Sequence, residues 1–186
     1  MNNVPRITPE GWQRLFAPAS VAVIGASNTA GSWGNNAMRG LLNKKDRRVY
    51  PVNPNSPEVV GIKAYRSVTD IPDTIDLAVI VVAEKLVPAV MRECAAKGVK
   101  TAVIITSGFG EMGKEGRKLE AEVAAIARQG GINFIGPNSM GHADTRSQLS
   151  TFGQFGEMPR GRVAVLAQSG STCLKIVRNL PESASL

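Results

Sequence analysis

Cysteine is nearly absent from this sequence: Cys94 and Cys173 are the two in 186 residues. They lie far apart, which excludes a disulfide framework and any cysteine-based metal spacing, and no metal is expected on this chain. Long hydrophobic runs are missing too. None approaches the roughly 18 apolar residues that a membrane-spanning helix needs. The start, MNNVPRITPEGW, lacks the basic and apolar regions of a secretory signal. A cytoplasmic location, with no membrane partner, is the resulting expectation. Aromatic residues supply only 5% of the chain, and none stands within its one dense basic cluster, Lys44, Lys45, Arg47 and Arg48. This argues against nucleic acid as a partner. The cluster reads as a solvated turn between a helix and a strand, with a positive rim beside a phosphate site as the alternative.

What is present is 43% hydrophobic residues and a formal net charge of +7. The length suits one full domain with a proper core, plus the beginning of a second. The positive balance suits an anionic ligand.

Apolar, β-branched runs recur at 20–26 (SVAVIGA), 47–54 (RRVYPVNP), 76–83 (DLAVIVVA), 100–108 (KTAVIITSG), 133–138 (NFIGPN) and 162–170 (RVAVLAQSG). They are near-continuously apolar, as expected of strands covered on both faces of a parallel sheet. Helical patterns lie between them. Glu84 to Lys97 places Leu86, Val90 and Met91 on one side and stops at Gly98; Lys114 to Gln129 spaces Leu119, Val123 and Ile126 helically before Gly130-Gly131. Thr8-Pro9 is a cap and first turn for a short helix to about Phe16. This alternation predicts an α/β domain, a Rossmann-like doubly wound parallel sheet with helices on both faces. Residues 1–142 read as that domain and the polar stretch 143–160 as a linker or surface crossover. Residues 161–186 read as the opening of a second unit.

Ligands of such sheets collect outside the carboxyl ends of the strands. Here those ends read GASNTAGSWG, VNPN, VVAEK, TSGFGEMG and GPNSMG, rich in the glycines and small polar residues that admit a phosphate to backbone N–H groups. The first loop departs from the dinucleotide fingerprint GxGxxG. Two positions after Gly25 stands Ser27, and the remaining glycines, Gly31 and Gly34, come later. The second strand ends in Val52-Asn53-Pro54-Asn55, without the carboxylate that a NAD ribose asks for. NAD is disfavoured, and NADP has only the distant Lys63 and Arg66. Trp33, among small residues, either stacks on an adenine or covers the loop.

Taken in order from about Phe16 to Gly141, SVAVIGAS…GSWG, VYPVNPN, IDLAVIVVA, VIITSGFGE and GPNSMG resemble the CoA-binding domain shared by succinyl-CoA synthetase α subunits and ADP-forming (NDP-forming) acyl-CoA synthetases. The same module resembles the N-terminal part of some bacterial protein acetyltransferases. RVAVLAQSGS at 162–171 is similar to the opening of the family's second, flavodoxin-like domain. The resemblance implies binding of coenzyme A or acyl-CoA as the N-terminal part of an acid–thiol ligase. A stand-alone CoA-binding regulatory module is one alternative, and an NAD(P)-binding oxidoreductase or redox sensor a lesser one.

By the same resemblance Gly25 opens the loop, while Ser27, Gly31, Ser32 and Gly34 hold CoA phosphates through N–H groups and hydroxyls. Asn53 and Pro54 flank the adenosine half, and Val81 and Val82 wall the nucleotide. Ser107, Gly108, Phe109 and Glu111 line the path toward the thiol, and Asn138 stands near the reacting end. The family's ATP-binding part is a separate ATP-grasp domain or subunit, so that is the implied partner, with a homo-oligomer left open. The phosphorylated histidine of that family belongs to its second domain. His142, the single histidine, follows GPNSMG instead and reads as a loop or surface residue. Catalysis by this chain alone is not expected. Ser169-Gly170-Ser171 could present helix N–H groups to a phosphate; Cys94 and Cys173 read as buried packing residues.

Overall fold

The computed structural model describes residues 7–43, 46–153, 158 and 160–179. Its order is α1 (Pro9–Phe16), β1 (Ser20–Ile24), α2 (Trp33–Leu41), β2 (Arg48–Val52), β3 (Glu58–Val59), β4 (Ile62–Lys63) and β5 (Leu77–Ile80). Then follow α3 (Val87–Lys97), β6 (Thr101–Ile104), α4 (Lys114–Gly130), β7 (Asn133–Ile135), β8 (Ala143–Asp144), β9 (Leu149–Ser150) and α5 (Gly170–Arg178). Five strands form one parallel sheet in the order β2-β1-β5-β6-β7.

The unbroken apolar runs are explained by two cores, one on each face. Val21, Val23, Leu77, Val79 and Val103 pack with Leu15 of α1, with Ala37, Met38 and Leu41 of α2, and with Leu149 of β9. The alternate residues, Ala22, Ile24, Ala78, Ile80, Ala102 and Ile104, pack with Met91 and Cys94 of α3 and with Val123 and Ile126 of α4. A strand buried on both faces gains about 1.5–3 kcal/mol from each large aliphatic side chain, so a polar residue at either parity would be costly. Burial pushes the Cys94 thiol up to about 12, which makes it a packing residue; Cys173 is only half-buried.

Helix ends obey the local signals. The Thr8 hydroxyl accepts from Gly11 N (3.2 Å) with Pro9 in the first turn. Gly98 ends α3 and Gly131 ends α4, both in the left-handed region.

Four expectations require correction. The stretch 143–160 is not merely a polar crossover: β8 and β9 pair antiparallel, and Leu149, Ser150 and Thr151 are buried. His142 is not a surface histidine. Its Nε2 lies 2.7 Å from Leu15 O and its ring packs edge-on to Phe16, so it fastens α1 to this hairpin. Arg47 does not sit on a solvated turn. It is 8% exposed and donates from Nη2 to Ser147 O (2.5 Å), and desolvation pulls its pKa below the usual guanidinium value. Arg48 pairs with Asp73 at 3.3 Å. Both arginines stand at the amino end of β2, so they form no positive rim at the carboxyl ends; Lys44 and Lys45 lie outside the described residues.

The fourth correction concerns 162–170, which forms no strand. Val163 and Leu166 are exposed at 39% and 101%. A parallel strand needs ladder partners and cover on both faces, and no described strand pairs with this segment. The helix expected after it does form: Ser169 caps α5 through Thr172 N, and α5 starts against Met140.

Candidate nucleotide site

The strand order places a switch between β1 and β5, where the chain leaves one side of the sheet and returns on the other. A cleft of about 340 Å³ opens at the carboxyl ends there, at the position such sheets use for ligands. Gly25, Ser27, Ser32, Trp33 and Gly34 line it from the first loop. Val81, Val82 and Glu84 come from the end of β5, and Ile105, Thr106 and Ser107 from the end of β6.

Two glycines make the loop possible. A Cβ on Gly25 would come within 2.5 Å of Val81 O, and one on Gly34 within 2.1 Å of Gly25 O. The first glycine therefore lets β1 cross close to β5, and the second lets α2 pack onto the loop. These are the tasks of the outer glycines in GxGxxG, here carried out by residues nine positions apart. The longer loop holds its shape by its own side chains. The Ser32 hydroxyl caps α2 through Asn35 N (3.2 Å) and donates to Thr29 O (2.8 Å). Buried Asn35 donates to Ser27 O (2.9 Å), and Ser27 Oγ accepts from Thr29 N (3.0 Å). Asn28 uses both ends of its amide, donating to Glu58 O and accepting from Val60 N, each at 2.9 Å. This ties the loop to the β3–β4 hairpin. Ser27 and Ser32 hydroxyls are thus engaged in shaping the loop, whereas the Trp33 and Gly34 N–H groups have no acceptor among the described residues. The free donors at this helix start are backbone groups, which suits an anion.

The other strand ends are distributed differently. Asn53 is spent on the scaffold: its Nδ2 donates to Ala26 O (2.8 Å) and its Oδ1 accepts from Asn55 N (2.8 Å). Pro54, Gly31 and Asn138 are exposed and lie outside the cleft lining. Asn138, in the left-handed region, donates its N–H to Thr106 O (2.8 Å). Ser107 lines the cleft, but Gly108 N donates to the Glu111 carboxylate at 2.6 Å, holding that carboxyl below the usual range. Phe109 is fully buried in the core beneath α3 and α4, so its side chain lines no path. Glu84 and Thr106 went unnoticed as cleft residues. Glu84 stands where VVAEK leaves β5, and its side chain packs within 3.0–3.5 Å of the space a Cβ on Gly108 would fill. The Thr106 hydroxyl donates to Val82 O (2.8 Å) and braces two strand ends. Among the described residues no lysine or arginine lines the cleft, and Glu84 is its one charged residue. No group of described residues could hold a metal ion, and no described helix is long and apolar enough to cross a membrane.

A doubly wound sheet with a phosphate-type loop at its switch point defines a Rossmann-like nucleotide-binding domain. The chain belongs to the CoA binding domain family, which it matches over residues 19–144. It is 44% identical over 158 residues to acetate–CoA ligase [ADP-forming] II of Archaeoglobus fulgidus, covering 84% of this chain and 24% of that protein. To the α subunit of acetate–CoA ligase [ADP-forming] II of Pyrococcus furiosus it is 45% identical over 164 residues, covering 88% and 35%. Among solved structures, a dinucleotide forming acetyl-coenzyme A synthetase 1 of Ca. Korarchaeum cryptofilum superposes with a TM-score of 0.82 at 38% identity, over 88% of this chain and 35% of that one. The chain thus carries a CoA-binding domain homologous to the N-terminal part of ADP-forming acyl-CoA synthetases. It spans roughly a quarter to a third of the length of the curated relatives just described.

Proposed function

We propose that this chain binds CoA at the switch-point cleft, with a phosphate group on the N-terminus of α2, as the CoA-binding part of an ADP-forming acyl-CoA synthetase. One observation carries the reading: Trp33 and Gly34 line the cleft in the first turn of α2, and their N–H groups have no acceptor among the described residues. The membership of residues 19–144 in the CoA binding domain family supplies the ligand. NAD fits less well, because no carboxylate ends β2 and both ends of the Asn53 amide are already engaged.

The acid and the phosphoryl donor would be handled by an ATP-grasp domain or subunit, with residues 161–186 opening the second domain. Parallel calorimetric titrations with CoA, 3′-dephospho-CoA and NAD test the reading. Saturable CoA binding without a response to NAD is expected. Because no cation among the described residues lines the cleft, dephospho-CoA should bind nearly as well as CoA if the 3′-phosphate stays outside it. NAD binding with no CoA binding would overturn the assignment.

A further inference from the structure

We infer that Trp33 is a stacking platform for the adenine ring of the bound nucleotide, with the Glu84 carboxylate at the ring's edge. The inference rests on the CoA reading and specifies which half of the molecule enters the cleft. Among the described residues Trp33 is the only aromatic one that lines it. The residue is 46% exposed at the first position of α2, in a loop otherwise made of small residues. The chain's other tryptophan, Trp12, stacks instead on Phe16 at 5.7 Å in α1. The aliphatic side chains that share the cleft lining with Trp33 are Val81, Val82 and Ile105. A flat ring between an indole and aliphatic side chains has apolar contact on both faces.

Charge assigns the rest. Glu84 can only accept hydrogen bonds when ionised, and it repels phosphate. The corner it occupies therefore takes an uncharged group bearing a donor, and the exocyclic amine of adenine is one. The phosphates belong on the free N–H groups of Trp33 and Gly34. Pantetheine carries amide donors but no π-face, so it makes no use of the indole. At about 340 Å³ the cleft is near the small end of ligand sites, and it accommodates one half of CoA rather than the whole.

The test uses the full chain with Trp12→Phe, which leaves Trp33 as its sole tryptophan. CoA and adenosine 3′,5′-bisphosphate should quench its fluorescence saturably, while 4′-phosphopantetheine should leave it unchanged. By calorimetry Trp33→Ala should weaken CoA binding about 5- to 150-fold, the range of base–aromatic stacking, and Trp33→Phe should retain most of the affinity. The fluorescence arm needs no change at Trp33, so it stands even if the alanine variant misfolds. CoA binding with silent Trp33 emission, wild-type affinity in folded Trp33→Ala, or quenching by phosphopantetheine alone would each overturn the stacking role. If the parent chain binds no CoA calorimetrically, the CoA reading itself fails and the platform falls with it.

Discussion

Gly34→Ala is the substitution on which the description of the loop depends most. The added Cβ would lie 2.1 Å from Gly25 O and 3.2 Å from Ser27 N, where ordinary contact begins at 3.4 Å. The start of α2 must therefore retreat by about 1.3 Å, since both obstacles are backbone and no flexible side chain can yield. Overpacking of this kind costs about 1–3 kcal/mol. At roughly 2–4 °C per kcal/mol for a chain of this size, the midpoint of thermal unfolding should fall by about 2–12 °C. The same retreat moves the Trp33 and Gly34 donors off their phosphate. Loss of one hydrogen bond to a charged group is worth about 1.5–3 kcal/mol, so CoA affinity should fall about 10- to 150-fold. Calorimetry well below the new midpoint separates affinity from folding. Gly31→Ala is the control: nothing lies within 4 Å of its added Cβ, but its φ is +79°, so it carries backbone strain of about 1–2 kcal/mol without the clash. It should lose stability and keep its affinity. A folded Gly34→Ala protein that binds CoA as tightly as the parent would refute the placement of the phosphate on this helix start.

Two further outcomes follow from buried residues. His142 has Nε2 against Leu15 O, and its Nδ1 is buried without a partner among the described residues. Burial holds its pKa below the ordinary 6.5. Its neutral ring thus contributes stability in full above that value, and the contribution is lost as pH falls from about 6.5 through the folded-state value. The stability difference between the parent and His142→Gln, from urea unfolding, should shrink between about pH 7 and pH 5; parallel profiles would contradict the buried neutral ring. Phe109→Ala should cost about 3–5 kcal/mol in the same assay while the folded fraction still binds CoA, because its side chain belongs to the core; loss of binding without loss of stability would return Phe109 to the site.

The strands and most helices were legible because their signals are local. Two-faced burial writes itself as unbroken apolar runs at 21–24, 77–80 and 102–104, and the Thr8 cap acts within three residues. The glycine-rich strand ends were legible for the same reason. The run at 162–170 carried an equally strong local signal and formed no strand, since pairing depends on partners that a local pattern does not contain. Arg47 and His142 misled in the opposite direction. Their types suggest a surface, yet Arg47 is buried and His142 half-buried beside the β8–β9 hairpin, which pairs residues too few and too polar to announce a strand.

By itself, then, the sequence determined the order of elements, the doubly wound sheet, the position of the phosphate loop and the resemblance that named its ligand. The first three are carried by apolar patterning and glycine spacing along the chain, and the last is a resemblance carried by motifs taken in order from about Phe16 to Gly141. Only the tertiary structure decided which residues share the cleft. It brought Gly34 against Gly25, set Trp33 in one cleft with Val81 and Val82, turned Phe109 inward, engaged the amide of Asn53 in the scaffold and admitted Glu84. Those outcomes turn on distances between segments far apart in the chain, where a Cβ placed 1 Å too near closes the loop and a side chain's two sides, core and cleft, are separated only by how the strands pack.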